Sequence, residues 1–165
     1  MGIELHPAQE RDLVVVLRMN NEAVPHVSEL QYPALREFWE TAPYFKVARE
    51  ASDDSLRGFL IALTPEAEYA SPNFRWFQAR YEHFCYVDRI VVVPEARGLG
   101  LGQIFYRDLQ TVSRAATRRL TCEVNLDPPN EGSMRFHTRF GFVEVGQQKT
   151  DHGEKTVCLM VKELT

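Results

Sequence analysis

Apolar and polar positions along the chain alternate between short strand-like runs and stretches of helical period. "GIELHPA" reads as a short strand, and "AQERDLVVVLRMNNEAV" then carries Leu13, Val16 and Leu17 at helical spacing, predicting a helix that ends near Asn20 and Asn21. "YPALREFWETA" predicts a second, shorter helix. "YFKVARE" and "SLRGFLIAL" flank the polar turn at residues 51–54 and predict an antiparallel hairpin. "CYVDRIVVV" crowds β-branched residues at the end of a strand. The stretch "GQIFYRDLQTVSRAATR" predicts a helix of about four turns with Ile104, Leu109 and Val112 toward the core. "LTCEVNL" is a further strand, "PPNEGSMRFHTRF" a short helix, and the last strands form a hairpin turning at residues 151–155. Strands and helices alternate mid-chain while hairpins occupy the flanks, which predicts a mixed sheet.

One stretch has no clear period. "TPEAEYASPNFRWFQARYEHF" combines prolines with a high density of aromatic residues and reads as a long loop, a kind of segment that usually carries function. Tyr69, Phe74, Trp76, Phe77, Tyr81 and Phe84 either line an acceptor pocket, with Arg75 or Arg80 meeting a carboxylate, or cover the sheet as a secondary core.

Composition narrows the class. The 165 residues fit one domain spanning the chain, and 44% hydrophobic with 25% charged residues is ordinary for a soluble globular protein. A net charge of -4 and a pI near 5.7 give no long-range attraction to nucleic acid or an anionic membrane. Arg114, Arg118 and Arg119 read as the solvated basic end of a helix. No apolar run approaches the roughly 18 residues a membrane span needs, and "MGIELHPAQERD" lacks a signal core, so a cytoplasmic protein is expected. Cys85, Cys122 and Cys158 lie far apart within apolar runs, without Cys-x-x-Cys or histidine ligand spacing. They are expected to be buried thiols, with no metal bound.

The candidate chemistry begins at "VVVPEARGLGLGQIF". A strand runs into glycines and then into a helix, the arrangement that presents backbone N–H groups and a helix dipole to phosphate. The dinucleotide pattern Gly-x-Gly-x-x-Gly fails, because its third glycine falls at Gln103 or Phe105. The P-loop pattern fails too, because Gly102 precedes Gln103 and Ile104 rather than Lys-Ser/Thr.

What remains, Arg97-x-x-Gly100-x-Gly102, resembles the acyl-CoA loop of the GNAT acetyltransferase superfamily. "PPNEGSMRFHTRFGF" resembles that superfamily's second signature, with Asn130, Ser133, Phe136, Gly141 and Phe142 in place. The resemblance is strong over residues 84–145. It implies an α/β fold (α+β in some schemes) with a mixed, mostly antiparallel sheet of about seven strands flanked by about four helices. It implies acetyl-CoA as acyl donor, a small-molecule or peptide amine as acceptor, and direct attack of that amine on the thioester. Nucleic-acid and membrane partners are not expected; a homodimer is left open. The resemblance places the pyrophosphate on Arg97, Gly98, Leu99, Gly100, Leu101, Gly102 and Gln103. It places the thioester carbonyl against backbone N–H groups of Val91 and Val92, and the pantetheine amides against Asn125 and Asn130.

The chain departs from that pattern where the proton moves. The tyrosine that commonly protonates the leaving thiolate is replaced by His137, which is either a general acid or a packed ring. The family's frequent glutamate on the strand before the loop falls, counted back from Arg97, on Tyr86. Two carboxylates compete for the role of general base, Asp88 on that strand and Glu123 on the next. By alternation Tyr86 and Asp88 share a face, and Cys122 faces away from Glu123 and Asn125. A catalytically silent acyl-CoA-binding or regulatory module is the alternative reading.

Overall fold

A computed structural model describes residues 2–165 of the protein. Seven strands form a mixed sheet: β1 (Ile3–Pro7), β2 (Tyr44–Glu50), β3 (Leu56–Leu63), β4 (Cys85–Val92), β5 (Arg119–Asp127), β6 (Val143–Thr150) and β7 (Lys155–Glu163). Their order is β1-β2-β3-β4-β5-β7-β6, and the β4–β5 pair is parallel. Five helices accompany them: α1 (Leu13–Glu22), α2 (Tyr32–Thr41), α3 (Pro72–Gln78), α4 (Leu101–Ser113) and α5 (Glu131–Phe140). The chain divides into two compact units, one comprising the chain up to Ala62 with Arg89–Leu109, the other Leu63–Asp88 with Gln110–Thr165. β4 contributes its first half to the second unit and its second half to the first.

In the first unit, β1, β2 and β3 form an antiparallel meander, and β2 pairs with β3 in the hairpin that the polar turn predicts. Val47, Phe59, Leu60 and Ile61 are completely buried, as are Leu13 and Val16 of α1 and Leu35 of α2. Asp12, just ahead of α1, is 4% exposed, and both its carboxylate oxygens accept from Arg49 Nη2, at 2.8 and 2.9 Å. This pair satisfies two charges that would each be costly to bury alone. At the far end of α1, Asn21 accepts from Leu30 N and donates to Leu30 O, and Asn20 donates to Ser28 O. These bonds fasten the α1–α2 connection to the helix that precedes it.

In the second unit, β5, β7 and β6 run antiparallel, with bulges near Asp127 and between Glu144 and Gly146. Arg119 opens β5 rather than closing the preceding helix. Its Nε donates to Glu163 at 2.7 Å, and its guanidinium lies 4.0 Å over the Tyr81 ring.

The structure departs from the sequence expectation in two further places. The aromatic stretch is not all loop, since α3 forms within it. Ser71 Oγ caps the helix by accepting from Phe74 N, and Pro72 at the first turn has its φ already set for helix. Phe74 and Phe77 then fall three residues apart on one face, both fully buried with Phe84 and Tyr86. The secondary-core reading therefore holds for Phe74, Phe77 and Phe84, and Arg80 stacks 3.6 Å over Trp76. In α4, Ile104 and Val112 are 39% and 52% exposed, against the expectation that they face the core. The buried stripe is Leu101, Phe105 and Leu109, at spacing four, with Tyr106 beside it. Two larger aromatic side chains bury more apolar area than Ile104 and Val112 would, and they set the rotation of the helix.

Candidate active site

The first unit carries the glycine loop. β4 ends at Val92, Val93 N donates to Arg57 O at 3.0 Å, and a single helical turn (Pro94–Ala96) follows. Arg97 folds back so that its Nε donates to Val92 O at 3.3 Å. Gly98 and Gly100 take φ of +76° and +85°, values that L side chains rarely adopt, and no atom lies within 4 Å of where a Cβ on either would stand. α4 begins directly afterwards with Leu101, Gly102 and Gln103 in its first turn, and Ile104 N donates to Gly100 O at 3.1 Å. First-turn N–H groups of a helix have no intrahelical acceptor, and the macrodipole puts its positive end there. The loop thus offers an anion an open, left-handed curl of backbone at a helix N-terminus. Val91 is buried and Val92 half-buried immediately upstream.

The second unit carries the residues that the sequence offers as candidate acid and base. β4 and β5 pair in parallel at Cys85↔Leu120 and Tyr86↔Thr121, and the ladder stops there. With Tyr86 beside Thr121, the next residue of β5 on the same face is Glu123. The Tyr86 hydroxyl reaches it, lying 2.9 Å from Oε1 and 2.7 Å from Oε2. Tyr86 is fully buried, and burial together with the nearby Glu123 and Asp88 carboxylates pushes its phenol well above its usual range. It is a permanent donor. Asp88 is half-buried, two residues along β4 from Tyr86. Arg89, which follows Asp88 on β4 and belongs to the first unit, is buried, its Nη1 donating to Asn20 Oδ1 at 2.9 Å and Ser28 O at 3.0 Å, with its guanidinium over the Phe38 ring.

Farther along β5, Asn125 is half-buried, and its carbonyl accepts from Asn130 N at 3.1 Å. Asn130 is the N-cap of α5, its Oδ1 accepting from Ser133 N at 3.3 Å, which leaves the amide NH₂ outside the cap bond. His137 is 3% exposed between Phe136 and Phe142, each ring centroid 5.3 Å away. Its Nδ1 donates to Ser133 O at 2.8 Å, one turn back, so the ring is the Nδ1–H tautomer. Burial pushes its pKa below the usual value near 6.5. Cys122 is 2% exposed, on the strand face opposite Glu123. All three cysteines are buried free thiols, with Cys85 pushed up to about 11 by burial.

Motif reading reached Tyr86, at the position of the family's frequent glutamate, but gave it no role. The strand alternation places it beside Asp88, but its hydroxyl meets Glu123 only because of the β4–β5 register, which no local pattern encodes. Among the described residues no group of three His, Cys, Asp or Glu side chains is arranged to hold a metal ion. Among the described residues, no helix is long and apolar enough to cross a membrane.

The mixed seven-stranded sheet, with its glycine loop between the fourth strand and α4, has counterparts among known proteins. Residues 17–142 match the model of the acetyltransferase (GNAT) family. The chain belongs to that family, and it is an acetyl-transferring enzyme. It is 28% identical over 156 residues to phosphinothricin N-acetyltransferase of Streptomyces coelicolor, covering 87% of this chain and 84% of that protein. Its fold is similar to that of Arabidopsis thaliana NAA60, solved in complex with a bisubstrate analogue, with a TM-score of 0.79 at 16% identity and 99% of each chain covered. It is also similar to the ribosomal-protein-S18-alanine N-acetyltransferase from Escherichia coli, with a TM-score of 0.73 at 14% identity, covering 99% of this chain and 95% of that one.

Proposed function

We propose that this enzyme transfers the acetyl group of acetyl-CoA to the primary amine of a small molecule or peptide, by direct attack in a ternary complex. The observation that carries the reading is the loop. Gly98 and Gly100, left-handed and with nothing beside their Cα atoms, let backbone N–H groups close on a pyrophosphate at the start of α4. Gly98, Leu99, Gly100, Leu101, Gly102 and Gln103 supply those groups, and Arg97 adds a positive charge. The backbone N–H groups of Val91 and Val92 polarise the thioester carbonyl as it gains negative charge. The amides of Asn125 and Asn130 bond the pantetheine arm.

Glu123 is the general base in this reading. It is a half-buried carboxylate held by a hydroxyl that contacts both its oxygens, whereas Asp88 contributes negative charge on the same strand face. A ring kept neutral by burial, with Nδ1 committed to Ser133 O, suits His137 to packing α5 rather than to protonating the thiolate. In that case the thiolate takes its proton from solvent. The amine's identity is narrowed by kinship alone. The relative from Streptomyces coelicolor is named a phosphinothricin N-acetyltransferase, so phosphinothricin heads the panel of acceptors.

The experiment is thermal unfolding of the purified protein with acetyl-CoA, ATP and NAD in parallel, followed by assay of released CoA across the amine panel. A ligand at a hundred times its dissociation constant stabilises by about 2.7 kcal/mol, which raises Tm by about 5–10 °C in a chain of this size. A shift with acetyl-CoA alone and amine-dependent release of CoA are expected. A shift with ATP or NAD instead, or acetyl-CoA binding with no amine that releases CoA, would overturn the reading.

A further inference from the structure

Resting on the acetyltransferase reading above, we propose that Tyr86 is a positioning residue for proton transfer, holding the carboxylate of Glu123 in one orientation for the attacking amine. The parallel register seats Tyr86 beside Thr121 and leaves Glu123 as the next β5 residue on the same face. Tyr86 Oη lies 2.9 Å from one carboxylate oxygen and 2.7 Å from the other, so its single proton straddles the group and pins its plane.

The anchor itself cannot swing. Tyr86 is fully buried, its ring centroid 5.3 Å from that of Phe74 and 5.9 Å from that of Phe77, so the hydroxyl is fixed by the aromatic core beneath it. The phenol is held far from ionisation by burial and by the carboxylates near it, so it donates at any working pH and does not itself serve as base. α3 therefore has a consequence for chemistry: its capped turn places Phe74 and Phe77 against the ring that carries the hydroxyl.

The step balances. The amine nitrogen forms a bond to the acetyl carbon, the carbon–sulfur bond breaks, and CoA leaves as thiolate. One N–H proton passes to a Glu123 oxygen, directly or through one water. Glu123 later releases that proton to solvent, and solvent protonates the thiolate. Tyr86 keeps its own proton throughout.

The test is a double-mutant cycle of Tyr86→Phe and Glu123→Gln, measured as CoA release with acetyl-CoA and the fastest amine of the panel. Phenylalanine keeps the ring in the aromatic cluster and deletes only the hydroxyl. Tyr86→Phe should lower kcat about tenfold, as expected for losing a hydrogen bond to a charged group, with KM for acetyl-CoA within about twofold. Glu123→Gln should lower kcat about a hundredfold, and adding Tyr86→Phe to it should cost nothing further. Glu123→Asp, which draws the carboxylate back from an intact Tyr86, should also lower kcat at unchanged KM. The proposal is overturned if Tyr86→Phe keeps wild-type kcat, if its effect persists undiminished in the Glu123→Gln background, or if Glu123→Asp is fully active. A wild-type protein that releases no CoA with any amine would instead refute the acetyltransferase reading on which the proposal rests.

Discussion

The Cα of Gly58 in β3 faces the backbone of β4 so closely that a Cβ there would stand 2.6 Å from the carbonyl oxygen of Val91 and 3.4 Å from Cα of Val92. Real Cβ atoms do not make such a contact, so the absence of a side chain at position 58 lets the two strands meet. Val91 and Val92 are the residues whose N–H groups are proposed to polarise the thioester carbonyl. Gly58→Ala should therefore destabilise the protein by about 1–3 kcal/mol, as overpacking of a closed interior does. It should also raise KM for acetyl-CoA. Urea denaturation measures the first effect and a CoA-release assay the second. A variant with the wild-type denaturation midpoint would show that β4 yields at no cost.

Gly100 separates backbone strain from ligand contact. A Cβ there meets no protein atom within 4 Å, so the only folding cost of a side chain is the left-handed φ of +85°, about 1–2 kcal/mol. Gly100→Glu places bulk and negative charge where the loop is expected to approach phosphate. The folded variant should lose at least about tenfold in acetyl-CoA affinity, equivalent to about 1.4 kcal/mol, by isothermal titration. Unchanged affinity in a folded variant would remove the phosphate assignment from this loop.

Thr121, the β5 partner of Tyr86, is fully buried, and its Oγ1 has no hydrogen-bond partner among the described residues. An unbonded hydroxyl in an apolar interior costs about 1–3 kcal/mol. Valine has nearly the same shape, so Thr121→Val should stabilise the protein by about 1 kcal/mol and raise Tm by about 2–4 °C. A lower Tm would mean that the hydroxyl is bonded in solution.

His137 makes stability depend on pH in a determined direction. The unfolded chain takes up a proton at this residue near pH 6.5, while burial holds the folded value lower. Between the two values the unfolded state carries more protons, so stability is fully present above the unfolded pKa and is lost as pH falls through this window. Urea midpoints measured from about pH 7.5 down to about pH 5 should fall for the wild type. His137→Phe should flatten that part of the slope, and an identical slope in the variant would place the titration elsewhere.

Much of this molecule is legible in the chain before any folding. β2, β4, β5 and the two hairpins follow from alternation and turn residues, because each is specified by neighbours a few positions apart. The glycine loop is legible for the same reason: left-handed backbone and a helix start are properties of Gly98, Gly100 and the residues beside them. The two signatures suffice for the family. Even α3 had local signals, Ser71 and Pro72, but its aromatic residues at spacing three were outweighed by their reading as loop.

Tertiary structure decided what local pattern leaves open. α4 is visibly a helix, but whether Ile104 or Phe105 faces inward depends on what the rest of the fold can bury. Tyr86 and Glu123 lie 37 positions apart, and their hydrogen bond exists because Tyr86 registers with Thr121 across a parallel ladder. A slip of one residue would turn Glu123 to the other face. Periodicity is a property of consecutive residues and is written in the sequence. Register and helix rotation are chosen by packing among residues distant in the chain, and in this protein register brings Glu123, the carboxylate proposed as the base, to the hydroxyl of Tyr86.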